Sequence, residues 1–414
     1  MNKIACAALI GALALAACGK KDGGSAPSAP HKGGEEEKLL AALIDAQPGD
    51  IIELPAGTLN FDRSLSLTVD GVTIRGKGLG ETILSFKGQV AGAEGLLVNA
   101  NDFTIEDLAI EDTKGDALKV NGGKNIVIRR VRTEWTGAPK TSNGAYGLYP
   151  VQCDNVLLES NVVIGASDAG LYVGQSNNVI VRNNRAEKNV AGIEIENTTN
   201  ADVYGNVATD NTGGILVFNM PNLKHPGRGA RVYQNEVTAN NRKNFGHKGT
   251  PVASIPAGSG VVVNSNDDVE IFDNNIKDNK TANVIIASVY STDISKDGMT
   301  EDFDAYPEGI YVHDNRMSGG GKNPDGLDLT ALKVAMFGPT GALPDVLWDG
   351  YVDAAKEVDG KIPDDKRICV DNGDAATLNA DGPNKFKSPK IVTDAVKCAL
   401  APLPAVTLKN GLGE

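Results

Sequence analysis

Long apolar runs are almost missing from this chain of 414 residues. The one near the start, Ile4 to Ala17, is too short to span a bilayer, and no later segment comes close, so no membrane-crossing helix is expected. Cysteine is scarce, five in all, and forms neither a CxxCH nor a paired CxxC, which excludes attached haem and a structural zinc of the usual spacing. The Leu and Asn spacing of a leucine-rich repeat is absent as well. Cations are outnumbered, 40 Lys and Arg against 53 Asp and Glu, for a net charge of −13. A chain this acidic is a poor match for nucleic acid or any polyanion unless cations help, and calcium is the natural helper where an acidic polysaccharide is the ligand. The acidic group Asp293, Asp297, Glu301, Asp302 and Asp304 lacks the spacing of an EF-hand and reads as a solvated loop.

What the chain does have is repetition. From Leu96, units of about 22 residues recur, each made of short alternating apolar runs set off by Asn, Asp and Gly, which is the pattern of a stacked β-solenoid. Leu96, Leu118, Leu171, Ile193, Ile215, Val261 and Ile310 share one phase. Val98, Val120, Val173, Ile195, Val217, Val263 and Val312 follow two residues later, so both sets are expected to point inward. Asn161, Asn184, Asn206, Asn235 and Asn274 form a second ladder, read as structural. Gly147, Gly170, Gly192, Gly214, Gly260 and Gly309 precede the apolar runs and are expected at tight turns. Glu35 to Phe61 fits an amphipathic helix, a strand and a turn that would cap the open N-terminal end.

Met1-Asn2-Lys3, the apolar stretch and Leu15-Ala16-Ala17-Cys18 together match a lipoprotein signal, with acylation expected at Cys18. No Asp follows Cys18, which is similar to the pattern of Gram-negative lipoproteins sent on to the outer membrane. Residues 20–34 have the composition of a flexible tether. The folded part would therefore hang, periplasmic or on the cell surface, from a lipid anchor. Cys6 leaves with the signal. Cys369 and Cys398 are expected to form a disulfide, and Cys153 reads as a small packed thiol.

GAYGLYPVQC (144–153), ASDAGLYVGQS (166–176), NVAGIEIEN (189–197) and GGILVFNMP (213–221) resemble a bacterial family of parallel β-helix repeat lipoproteins of unestablished activity, within the pectin-lyase-like right-handed β-helix superfamily. The resemblance runs from about Glu35 to Asn315. It implies an all-β, right-handed parallel β-helix over 35–317, after a signal at 1–17 and a tether at 18–34, with an irregular C-terminal cap over 318–414. The family's genes commonly neighbour one for a secreted c-type cytochrome-like protein, a second partner to consider. The chain lacks the NTD, DD and GHG series of polygalacturonases, since Asp267-Asp268 falls in a turn, and the Arg-rich strand motif of pectate lyases. His313-Asp314 resembles only faintly the His-Asp pairs of alginate-modifying β-helices, and its phase sets it about four coils, or ~19 Å, from Glu196.

Outward positions at equal phase on stacked coils form a floor for an extended polymer. One such row reads Tyr149, Tyr172, Glu194 and Leu216, the next Val151, Gly174, Glu196 and Phe218, and the position after that Gln152, Gln175, Asn197 and Asn219. Stacking faces beside amides and carboxylates suit a sugar, so Tyr149, Gln152, Gln175, Asn197, Asn219 and Phe218 are the candidate binding residues. Glu194 and Glu196, about 6.6 Å apart on one strand, with Asp168 nearby, could divide acid and base roles. Insertions at 136–145, 221–229 and 240–259 are expected to rise as walls carrying His225, Arg228, His247 and Lys248. In a lyase or epimerase, Arg228 or calcium would neutralise the substrate carboxylate, with Tyr172 or His247 moving the proton. The alternative is a non-catalytic scaffold that docks the cytochrome-like partner on the same face. A monomer is expected, with Trp348 and Tyr351 anchoring the C-terminal cap to the last coil.

Overall fold

The computed structural model describes residues 34–292, 299–300 and 303–412. The lipobox and Cys18 lie outside the described residues, as do Asp293, Asp297, Glu301 and Asp302. Each repeat lays down three strands, for example Ala169–Gly174, Asn177–Arg182 and Arg185–Glu187. Corresponding strands of successive coils pair in parallel, so the first, second and third strands build three ladders. In the first ladder Leu171 sits in register between Leu148 and Ile193; in the second, Val179 lies between Val156 and Ala201; in the third, Ala186 lies between Val163 and Ala208. Like therefore stacks on like, and Val98, Val120, Val173, Ile195, Val217 and Val263 are all fully buried. Each such side chain contributes roughly 1.5–3 kcal/mol relative to exposure. The helix Glu35–Asp45 covers the N-terminal end through Leu39 and Leu43.

The polar interior is ordered by amides. Asn184 Oδ1 accepts from both the backbone N–H and the side-chain amide of Asn161, at 2.9 Å each, and Asn206 does the same for Asn184. A parallel file that the sequence reading overlooked, Asn189, Asn211, Asn240 and Asn279, repeats the device at the next corner. Together with the backbone of the next coil, it accounts for most of the glycines. Gly147, Gly170, Gly192, Gly214 and Gly260 are second residues of strands with ordinary φ, not turn residues. A Cβ on Gly170 would lie 2.6 Å from Asn189 Nδ2, and one on Gly192 would lie 2.6 Å from the Gly214 carbonyl, so the constraint is close approach.

Two expectations of phase change. Ile310–His313 pairs with Val269–Phe272 in the second ladder rather than continuing the first, because residues 288–309 intervene within the coil after Ala282–Ala287. His313 thus lies on a different face from Glu196. The ladders also run on past 317: Val346–Trp348 pairs with Val284–Ile286, Ile368–Asp371 with Ile310–His313, and Thr377–Asn379 with Val346–Trp348. Cys369 and Cys398 are bonded to each other. Trp348 packs on the core and the Tyr351 ring contacts Tyr290, in line with an anchoring role. Cys153 is buried, its thiol against the carbonyls of Val120 and Val151, and burial pushes it up to about 11. No described helix is long and apolar enough to cross a membrane.

Candidate functional site

On the outer face of the first ladder, Lys119 is in register with Tyr149, Tyr172 with Glu194, Glu194 with Leu216 and Leu216 with Val262. The row is the one read from sequence, but it is not an open floor. Residues 221–227, 242–257, 289–292 and 303–308 fold over it, and Tyr172, Leu216, Phe218, Met220, Val252, Ile255, Val262 and Val289 form a second apolar core outside the solenoid. The insertions act as a cover rather than as walls because they carry apolar side chains of their own. Lys119 and Tyr149 at one end of the row, with Glu196 beside it on the neighbouring row, are half-buried and keep access to solvent, as Ile285 does at the other end.

At that margin the structure gathers Asp168, Glu194 and Glu196. Asp168 and Glu194 are 7% and 1% exposed, and among the described residues no Lys, Arg or His pairs with any of the three. Burial, then the nearby Glu196 and Asp116 charges, push Asp168 up to about 8, partly offset by a hydrogen bond from Tyr146. Burial first, then Asp168 and Glu196, hold Glu194 well above the usual carboxylate range. Burial also raises Glu196, against a hydrogen bond from the Tyr172 hydroxyl to its Oε1 of 2.6 Å. Near neutral pH Asp168 therefore keeps a proton that a solvated carboxyl would have lost, and burial shifts Glu194 and Glu196 in the same direction. Glu194 Oε2 is buried with no partner at all.

The tyrosines are fixed by one another and by a glycine. Tyr146, Tyr149 and Tyr172 meet with ring centroids 4.4–4.9 Å apart, and Lys119 Nζ lies 4.8 Å from the Tyr149 centroid. Tyr172 lies back over Gly174, where a Cβ would come 2.2 Å from its hydroxyl, and this lets it reach Glu196. Burial, reinforced by the carboxylates, pushes Tyr149 up to about 12 and raises Tyr172, so these hydroxyls are donors and not bases.

Other residues expected here serve elsewhere. Asn197 and Asn219 are buried and hold the 220–227 loop: Asn197 donates to the Met220 and His225 carbonyls and accepts from the Met220 N–H, while Asn219 accepts from the Gly227 N–H. Phe218 is sealed in the second core. Gln152 and Gln175 lie at the margin beneath Lys224, which donates to both. Arg228 begins a strand of the second ladder, paired with Thr199 and Asp267, and His247 is exposed on the covering loop; neither is brought to the carboxyls. Sequence reasoning missed Asp116, Lys119 and Tyr146. Asp116 precedes its strand as Asp168 does, each followed by Ala, and burial pushes it up to about 6. A separate group, Asp267, Asp304 and Glu308, brings one oxygen each within 4.8 Å of one another, a grouping that could hold a cation. Lys356 already bonds Asp304 and Glu308, and Lys366 bonds Glu308.

The model of the right handed beta helix region matches residues 62–224 and 139–299, more than half of the chain. The chain belongs to the right-handed β-helix family. Among solved structures this β-helix is similar to the A-module of the mannuronan C-5 epimerase AlgE4 of Azotobacter vinelandii, at 18% identity over 81% of this chain and 89% of that one, with a TM-score of 0.53. It is similar also to the AlgE6 A-module of the same organism, at 17% over 81% and 87% with a TM-score of 0.49, and to the periplasmic alginate epimerase AlgG, at 13% over 66% and 72% with a TM-score of 0.42. At such identities the likeness is one of fold. No curated protein sequence matches it.

Proposed function

We propose that this β-helix is an extracytoplasmic, lipid-anchored protein that binds an acidic polysaccharide at the margin of the first ladder, around Lys119, Tyr149 and Glu196. The observation that carries the reading is the convergence there of Lys119, three tyrosines and three buried or half-buried carboxyls, of which Asp168 holds its proton near neutral pH, at a solvent-facing margin of the row. Lys119 would pair with a uronate carboxylate. A protonated carboxyl can donate to an anionic sugar, which a charged one would repel. The AlgE4 module, of similar fold, acts by name on an acidic polysaccharide, which supports the class of ligand. Chemistry at this site would begin with Glu196, whose charged form the Tyr172 hydroxyl supports, removing the proton at C5 of a bound uronate. Return of a proton from the Tyr149 hydroxyl to the opposite face of C5 gives the epimer; its delivery to O4 as the C4–O4 bond breaks gives an unsaturated product. Calcium would enter at Asp267, Asp304 and Glu308 only by displacing Lys356.

A protein-docking scaffold for a cytochrome-like partner would need an exposed apolar face, and Leu216, Phe218 and Val262 are already covered by the chain's own loops. Calorimetric titration with uronic-acid oligomers tests the binding reading. Tyr149→Ala and Glu196→Gln should each weaken binding about tenfold or more, with the fold intact. Equal binding by parent and variants removes the margin from consideration. Solvent-deuterium exchange at C5 and ultraviolet detection of unsaturated ends separate epimerase, lyase and pure binder.

A further inference from the structure

The second ladder carries its own outward rows. Asp202, Arg231 and Glu270 occupy one phase on successive coils, with Ile180 and Leu157 continuing it toward the N-terminus. The neighbouring phase holds a stack of rings, Tyr204 on Tyr233 on Phe272 on His313, with centroids 4.8–5.3 Å apart and planes within 13°. Those rings face one another and present only edges outward, which leaves no flat face on which a sugar could stack. The groove beside them is instead occupied by protein: residues 403–412 run along it across the coils.

The contacts have a period. Leu403 N–H donates to Glu270 Oε2 at 3.0 Å, Val406 N–H to Asp202 Oδ2 at 3.2 Å and Lys409 N–H to Asn155 Oδ1 at 2.8 Å. The donors are three residues apart and the acceptors two coils apart. Three residues of polyproline II advance about 9.3 Å, and two coils stacked at about 4.8 Å advance about 9.6 Å, so an extended chain and the ladder keep step. Pro402 and Pro404 favour that conformation. Between the polar contacts Leu408 is buried on Leu157 and Ile180, and Val406 and Leu412 join the same cluster. Past the last of these contacts, a cavity of about 240 Å³ opens between 410–412 and Arg129, Glu159 and Arg182.

The geometry points to the outer face of the second ladder as a recognition groove for an extended peptide that offers a backbone N–H at every third residue, with the chain's own C-terminal segment as its resident ligand. Glu270 and Asp202 are each 4% exposed at the side chain and aim carboxylate oxygens at main-chain donors, so recognition is of backbone spacing first and of apolar side chains at 406, 408 and 412 second.

The test uses the full chain with Leu408→Asp, which should expel the segment from its apolar seat and empty the groove. A labelled synthetic peptide of residues 399–412 should then bind saturably by fluorescence anisotropy, while the parent, its groove filled, binds at least tenfold more weakly. N-methylation of the peptide at Leu403 or Val406 should each cost about tenfold or more, whereas N-methylation at Ala405 should cost little. Val406→Pro in the full chain, which removes the donor to Asp202, gives a second route to an emptied groove. Equal peptide binding by parent and variants would overturn the proposal, as would indifference to N-methylation. It would also fall if hydrogen exchange shows the segment released in both variants and no peptide binds.

Discussion

At the scale of the residue, Asp168 concentrates the consequences of burying carboxyls without cations. Its pKa is about 8 in the fold and ordinary when unfolded, so across that interval the native state holds a proton the unfolded state has lost. Stability is then fully present below about pH 4 and is lost as pH rises toward about 8, by up to ~1.4 kcal/mol per pH unit per group. Asp168→Asn, which can still accept from Tyr146, should flatten the fall in melting temperature between about pH 5 and pH 8 and leave the variant more stable than the parent at the upper end. A parallel pair of melting curves would show the trio to be ionised and paired in some other way. Gly174→Ala addresses the tyrosine beside it. The added methyl needs the space of the Tyr172 hydroxyl, so the side chain must leave Glu196; ligand binding should drop with a stability loss of only about 1–2 kcal/mol. Retention of parental affinity would separate the Tyr172–Glu196 bond from function.

At the scale of the element, the coil is held as much by its amide files as by its apolar stacks. Asn206 accepts from the backbone and the amide of Asn184 and donates to the Val181 carbonyl. Asn206→Leu leaves those groups buried and unpaired and should cost about 3 kcal/mol or more by denaturant titration, against under about 0.5 for the exposed Lys243→Ala. These elements also mark where the sequence was legible. Val173, Ile195 and Val217 declared their inward phase because a period of two inside a longer period admits little else, and Tyr172, Glu194 and Glu196 followed from the same count. What the count could not carry was the cover. Met220, Val252, Ile255 and Val289 lie in insertions with no repeat, and only their apolar character hinted that they bury a face instead of bordering it. Ile310–His313 was misplaced for the same reason, since an inserted segment resets the phase without altering the local pattern. The docking of 403–412 had no repeat to announce it; its signal is a spacing of three, visible only once the ladder opposite is known.

At the scale of the whole molecule, a solenoid transmits a local defect to its neighbours, because each coil is buried only by the coils on either side. Ile195→Asp places a charge in a stack closed above by Val173 and below by Val217, and should abolish cooperative thermal unfolding; a parental melt would mean the inward phase is wrong. Cys18→Ser should release the protein from the membrane fraction, and sedimentation that survives a high-salt wash would contradict lipidation there. The account as a whole rests on the solvent-facing margin of the first ladder. Its most direct test is the affinity for a uronic-acid oligomer as a function of pH, measured for the parent and for Tyr149→Ala. The parent should bind and should lose affinity as pH rises through the titration of the buried carboxyls, with Tyr149→Ala weaker throughout. Affinity that is flat with pH and the same in both proteins would contradict it.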